Sequence, residues 1–357
     1  MHIQKTVREM EAQIEDIPYQ SRVKVLSSGF TLIWPFRNLP KGRGPYELFL
    51  DNNALVHTSW LKDLGSEFRN KIIVSPTLAL AEQWLSNQRF QSNPKERVKD
   101  FVAPFIKAGI KFPSNYASIQ AESLAKNETA WRTQWMLTYL YVVLLYRITK
   151  ARAGDTIPND LLAHLKYQDV PMFNGCIMLC CLASYLSSNQ SAHLVGDDKA
   201  AYSYLNSFIS LHGKAKGESE FDENYLRNRA GDLSIWCMAG ALYHNGFRPA
   251  GEPVIVTQDK ALSRLIFRCL PGYMYPNGQM AFSFDERTFE PLHATAIEEH
   301  IRATVSGIRQ PVGRDEQLRR MDTLRTYVTQ AADAQLVAAV DQTWERWLKP
   351  GFHESFQ

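Results

Sequence analysis

The feature that most constrains this chain is a carboxylate delivered at the end of an apolar run, and it occurs twice. Tyr46-Glu47-Leu48-Phe49-Leu50 runs into Asp51-Asn52-Asn53-Ala54-Leu55, which reads as a short strand ending in a turn. Much later, Pro253-Val254-Ile255-Val256-Thr257-Gln258-Asp259 repeats the arrangement. Open α/β sheets place their chemistry in the crevice beyond the carboxyl ends of their strands. Two strands of one parallel sheet bring both carboxylates to the same edge. There they repel each other unless a cation or a proton sits between them. That points to a metal site, and so to phosphate chemistry.

Composition sets looser bounds. The chain has 357 residues, room for one large domain or two smaller ones. Apolar residues make up 45% and charged residues 22%, enough for a sizeable core and not the profile of a disordered chain. The net charge of +3 neither requires nor forbids a polyanionic partner, because local patches matter more than totals. The cysteines, Cys176, Cys180, Cys181, Cys237 and Cys269, show no zinc-binding spacing. They read as buried free thiols of a reducing compartment, and Met1 to Met10 carries no apolar secretory core, so a cytoplasmic location is expected. The run from Trp135 to Tyr146 is short for a membrane span, and Val170 to Leu186 carries Asn174, Gly175 and three cysteines. A buried helix pair and no membrane association are expected.

The chain divides as follows. Residues 1–45 form an N-terminal extension with a helix over 3–16 and strand-like pieces within 22–34, closed by Pro40-Lys41-Gly42-Arg43-Gly44-Pro45. Residues 46–92 and 221–285 form an α/β core. It holds strand 46–50, a helix over about 54–68, strand 71–75, a helix over 77–88 carrying Glu82, a helix from Asp232 to Leu242, strand 253–257, a helix over 259–269 and a short strand near 280–284. Residues 93–220 form a helical insertion, with helices near 95–108, 116–127, 129–151, 159–166, 172–187 and 198–211 and an exposed loop over 213–220. Residues 286–357 form C-terminal helices, with Leu318, Met321, Leu324 and Val328 on one face and Leu336, Val337, Val340 and Trp344 on another.

Four acids thus stand in order at element ends: Asp51, Glu82, Asp232 and Asp259. Taken singly, each has a plainer explanation. An aspartate after a strand caps a helix, an aspartate at a helix start favours the helix dipole, and a lone helical glutamate is a solvated face. Taken together, over about 46–90 and 225–270, they resemble the PIN-domain nuclease family. Asp51-Asn52-Asn53 resembles its Asp-x-Asn/Ser start, and Ile72-Ile73-Val74-Ser75-Pro76 with Leu80-Ala81-Glu82 resembles its second strand and acidic helix. Asp232 heading a helix and Thr257-Gln258-Asp259 complete the likeness. The long segment between Glu82 and Asp232 departs from the family's short helical pair.

The resemblance implies a PIN-like parallel sheet flanked by helices, with the helical insertion and C-terminal extension added. It implies Mg²⁺ or Mn²⁺ held by Asp51, Asp232 and Asp259, with Glu82 acting directly or through water; hard oxygen donors suit these ions. Asn53 and Thr257 would orient carboxylates or water, and Arg227, Arg229 and Lys260 would hold phosphates. The implied activity is metal-dependent phosphodiester hydrolysis by an activated water, with RNA as substrate. A toxin or phage-defence role and a protein regulator fit the same analogy. Two alternatives stay open: a non-catalytic scaffold binding RNA or protein through the insertion, and a flap-type DNA nuclease.

Other candidates rank lower: Asp197-Asp198 reads as a cap and Asp222 and Glu223 as loop acids, while Arg264 and Arg268 read equally as phosphate holders or solvated faces. His57, His293 and His300 have no companion motif, and Gly42-Arg43-Gly44 precedes a strand instead of following one. A dehalogenase-type phosphatase needs an acid where Asn53 stands, and an integrin-type metal site needs serines there.

Overall fold

The computed structural model describes residues 17–39, 41–150, 162–165, 167–171, 173–209, 223–244, 250–275, 280–305 and 312–348. The helix expected over 3–16, part of that near 159–166 and the loop over 213–220 lie outside these residues, as does Asp222.

Strands β1 (Val23–Val25), β2 (Thr31–Ile33), β3 (Tyr46–Leu50), β4 (Ile72–Ser75) and β5 (Glu252–Thr257) form one five-stranded sheet in the order β1-β2-β5-β3-β4. Strand β3 lies in the middle of the parallel part, with Leu48 opposite Val74 on one side and Val254 on the other. From Glu47 to Leu50 and from Pro253 to Thr257 every residue is buried. A parallel sheet covered by helices on both faces demands such unbroken burial, which is why both strands read as continuous apolar runs. Two further short strands, β6 (Gly272–Met274) and β7 (Met280–Phe282), pair antiparallel beside the main sheet.

The sheet is mixed, which corrects the expectation of a purely parallel one. The N-terminal extension supplies the difference. Strand β1 pairs antiparallel with β2, and β2 pairs antiparallel with β5, Thr31 facing Thr257 and Ile33 facing Ile255. Leu32 and Ile33 are fully buried, so this hairpin is part of the core sheet and no separate extension.

Helices α1 (Asn52–Val56), α2 (Ser66–Arg69), α3 (Thr77–Ser86), α4 (Gln88–Ser92), α5 (Pro94–Lys107), α6 (Tyr116–Lys126) and α7 (Glu128–Lys150) follow in the first half. The single helix expected over 54–68 is broken into α1, a 3₁₀ turn (Thr58–Asp63) and α2. The break lets Trp60 bury its ring and donate its indole N–H to Ala54 O at 3.0 Å. In the second half come α8 (Asn174–Ser188), α9 (Ala201–Ile209), α10 (Glu223–His244), α11 (Pro291–Thr304), α12 (Arg314–Thr329) and α13 (Ala334–Leu348).

Helix α7 is the axis of the helical part. It is buried almost all round, as a helix apolar on every face must be. Insertion helix α8, core helix α10 and C-terminal helices α12 and α13 all pack on it. The insertion and the C-terminal helices therefore share one core, in which Trp131, Trp135, Tyr139 and Leu144 are buried. All five cysteines are free and buried, with Cys176 Sγ 3.5 Å from Cys237 Sγ. Among the described residues, no helix is long and apolar enough to cross a membrane.

Candidate active site

The carboxyl ends of β3 and β5 lie side by side, with Leu50 opposite Val256, and each chain then turns out of the sheet. Asp51 is the first residue past β3. Its Oδ1 accepts from Ala54 N at 2.6 Å, capping α1, and its Oδ2 accepts from Gln258 N at 3.3 Å. Asp259 is two residues past β5. Its Oδ1 accepts from Leu262 N at 2.8 Å and caps the helical segment that follows. Both acids are therefore caps, as the plain reading allows. Capping occupies one lone pair of an oxygen and leaves the others available.

Thr257 links the two. It is fully buried, hydrogen bonds the Asp51 carboxylate, and its Oγ1 accepts from Asp259 N at 3.0 Å. These contacts tie the Asp51 carboxylate to the backbone of Asp259. Asn53 instead lies exposed on α1, where its carbonyl accepts from His57 N. Its neighbour Asn52 makes the tertiary contact, accepting from Gln83 Nε2 at 2.6 Å and so tying α1 to α3.

Asp232 does not head a helix. It sits well inside α10, which begins at Glu223, so neither capping nor the helix dipole accounts for it. Arg229, one turn earlier, places Nη1 2.8 Å from Asp232 Oδ2 and 3.7 Å from Asp259 Oδ2. Its guanidinium also lies over the rings of Phe208 and Tyr225, 5.5 Å from each centroid. Arg229, expected to hold phosphate, is turned onto the acids here. Lys260 is exposed beside Asp259, and Arg227 is buried.

Glu82 comes from α3 and rests on the backbone of α10 at Gly231. A methyl group there would stand 2.6 Å from Glu82 Cδ and 2.7 Å from its Oε1. Only glycine leaves that room. Gly231→Ala should therefore push the Glu82 carboxylate out of place while favouring the helix by about 1 kcal/mol. We expect an unchanged or higher melting temperature, with Mn²⁺ affinity reduced roughly ten- to hundredfold, both measured by calorimetry. Wild-type Mn²⁺ affinity in this variant would remove Glu82 from the site.

The electrostatics follow from this crowding. Burial, opposed by hydrogen bonds from Thr257 and two backbone amides, raises Asp51 to about 6, with Asp259 adding to the rise. Burial also raises Asp232 to about 7, with Arg229 pulling down and Asp259 and Asp51 pushing up. Glu82 is raised well above the ordinary carboxylate range by burial and then by Asp232 and Asp51. The four acids thus feel one another across one crevice, and both remedies for their repulsion are present: a cation, Arg229, and carboxyls that favour protons. Asp232 and Asp259 keep 19% and 16% of their side-chain surface open, enough for an ion to reach them.

Among the described residues, no group of three or more His, Cys, Asp or Glu side chains is spaced to hold a metal ion as it stands. The donor set nevertheless fits a hard divalent cation. It is all carboxylate oxygen, each with lone pairs to spare, and Arg229 already shows that positive charge is accommodated there.

The lower-ranked candidates have other partners. Asp197 accepts from Lys199 N and Tyr204 Oη at 3.0 Å, His293 Nδ1 bonds Tyr185 Oη at 2.8 Å, and the Arg268 guanidinium donates to Val195 O. His57 is exposed, and His300 is held below the usual histidine range by burial. Glu47 is a buried acid at the opposite end of β3, accepting from Ala250 N at 2.7 Å, and takes no part in the crevice. The sequence reading missed Gly231, whose only local signal is a glycine directly before Asp232 in a helical pattern. No family model, curated protein or solved structure matches this chain.

Proposed function

We propose that the crevice at the ends of β3 and β5 hydrolyses phosphodiester bonds with a divalent metal ion, Mg²⁺ or Mn²⁺, and that its substrate is RNA. The observation that carries this reading is the meeting of four acids from four separate elements at one sheet edge, three of them desolvated at a cost in their own ionisation. A fold keeps such an arrangement when a cation repays it. The PIN-like resemblance of the flanking motifs supports the same reading.

Asp51, Asp232 and Asp259 would hold the ion, with Glu82 completing its surroundings. Once bound, such an ion stabilises the charge that builds on a phosphodiester in its transition state and lowers the pKa of water. The chain's own groups do the rest. Thr257 keeps the Asp51 and Asp259 loops in fixed relation, and the caps on Ala54 and Leu262 fix the carboxylate planes. Arg229, which here rests on Asp232 and Asp259, would be the nearest cation to meet a phosphate oxygen if those acids were neutralised otherwise.

One observation favours a second reading. Arg229 already neutralises Asp232, so a non-catalytic scaffold could use the same contact as permanent glue. The two readings part on one assay: incubation of end-labelled single-stranded RNA and DNA with protein and Mn²⁺. We expect RNA cleavage that excess EDTA abolishes. Cleavage undiminished by EDTA would refute the metal-dependent reading, and no cleavage of any nucleic acid would leave the scaffold reading in its place.

A further inference from the structure

A narrow cleft begins at Glu82 and runs between α3 and the C-terminal helix α13. Its lining includes Trp135, Arg227, Arg346 and Trp347, and it opens through Ser86 and Arg346 onto a wider groove that reaches Arg89. Helix α13 is fixed there from behind. Arg132 Nη1 donates to Arg346 O at 3.1 Å, and the Trp347 ring meets Tyr139 edge-on at 6.0 Å. Trp135 and Trp347 are both buried, and among the described residues neither indole N–H has a hydrogen-bond partner. Buried donors without acceptors are rare in folded proteins and call for an explanation.

We propose that this cleft is an anion site that seats a phosphate of the substrate strand next to the acidic crevice, with α13 as one of its walls. Arg227, Arg346, Trp135 and Trp347, the last two with unsatisfied indole donors, line one cleft, and among the described residues Glu82 is the one carboxylate lining it. Such a donor set matches a phosphate in charge and in hydrogen bonding. The groove continues from the last turn of α3, past its cap Asn87, to Arg89 on α4. It therefore follows a strand that extends beyond a single phosphate. The insertion takes part through Trp135 and the C-terminal extension through Arg346, so both become substrate-binding elements. The identity of the strand rests on the nuclease reading above.

The test separates binding from chemistry. Anisotropy of a fluorescein-labelled single-stranded RNA is measured in EDTA across a salt series, with cleavage followed separately in Mn²⁺. Arg346→Gln combined with Arg89→Gln should weaken RNA binding roughly tenfold at moderate salt and lower the salt slope by about 0.7 for each lost phosphate contact. Trp135→Phe, which keeps the packing and removes the N–H, should also weaken binding. Arg302→Gln, an exposed change on α11 beside Glu298, should bind as the wild type does. Wild-type affinity and slope in the double arginine variant would overturn the proposal, as would absence of RNA binding by the wild type. Polyglutamate bound as tightly as RNA would also overturn it and assign the groove to an acidic protein segment. Binding lost in the variants without any cleavage in Mn²⁺ would uphold the groove and defeat the nuclease reading. Cleavage with unchanged binding would do the reverse.

Discussion

Asp51→Asn should abolish metal-dependent cleavage while leaving the fold intact. The asparagine has the same size and still accepts the Ala54 amide that the carboxylate caps at 2.6 Å. What disappears is the charge that holds the ion. A single oriented charge-stabilising group in an active site is worth about 10²–10³ in rate, and a metal ligand at least as much. Cleavage should therefore fall roughly 10³-fold or more, with the far-ultraviolet circular dichroism unchanged. Full activity in this variant would refute the assignment of Asp51, whatever the other acids do.

The second large effect concerns stability, and it has an unusual direction. Asp51 is raised to about 6 and Asp232 to about 7, and Glu82 also lies well above its ordinary range. Each group binds its proton more tightly folded than unfolded. Their contribution to stability is fully present below the unfolded carboxylate values, near pH 4, and is lost as pH rises through 6 and 7. Ionising Asp51 and Asp232 in the metal-free protein costs the folded state about 3 to 4 kcal/mol each, before their mutual coupling. The metal-free protein should melt at a lower temperature at pH 8 than at pH 5. Mn²⁺ should restore the difference, because it binds the ionised carboxylates of the folded state alone. Asp51→Asn should raise the metal-free melting temperature at pH 8 and weaken the response to Mn²⁺. A metal-free protein whose melting temperature climbs steadily from pH 5 to pH 8 would contradict this description of the crevice.

How much of this was legible in the sequence depends on whether the signal is local. Strands β3 and β5 announce themselves because strands buried on both faces must be apolar throughout. Their terminal carboxylates follow from the same runs. The pieces of β1 and β2 were visible too, but their membership of the core sheet was not. The pairing of Thr31 with Thr257 joins segments far apart in the chain, and nothing near Thr31 encodes it. The true start of α10 was hidden because Glu223-Asn224-Tyr225-Leu226-Arg227-Asn228-Arg229 is polar and Gly231 looks like a helix boundary. The structure instead uses that glycine to admit Glu82. Arg229 was singled out as a phosphate ligand from its charge alone, whereas its pairing with Asp232 depends on their spacing within a helix then thought to start later. The approach of Arg346 and Trp347 to Glu82 is purely tertiary, since it depends on how α13 docks on α7.

The central claim is that Asp51, Asp232 and Asp259 hold a divalent cation together. Crystals of the wild-type protein soaked in Mn²⁺ and measured at the manganese absorption edge test it most directly. The account predicts an anomalous peak in the crevice beyond β3 and β5, ligated by oxygens of these three aspartates, with the Arg229 guanidinium withdrawn from Asp232. Manganese bound elsewhere, or no manganese while Arg229 still bridges Asp232 and Asp259, would contradict it.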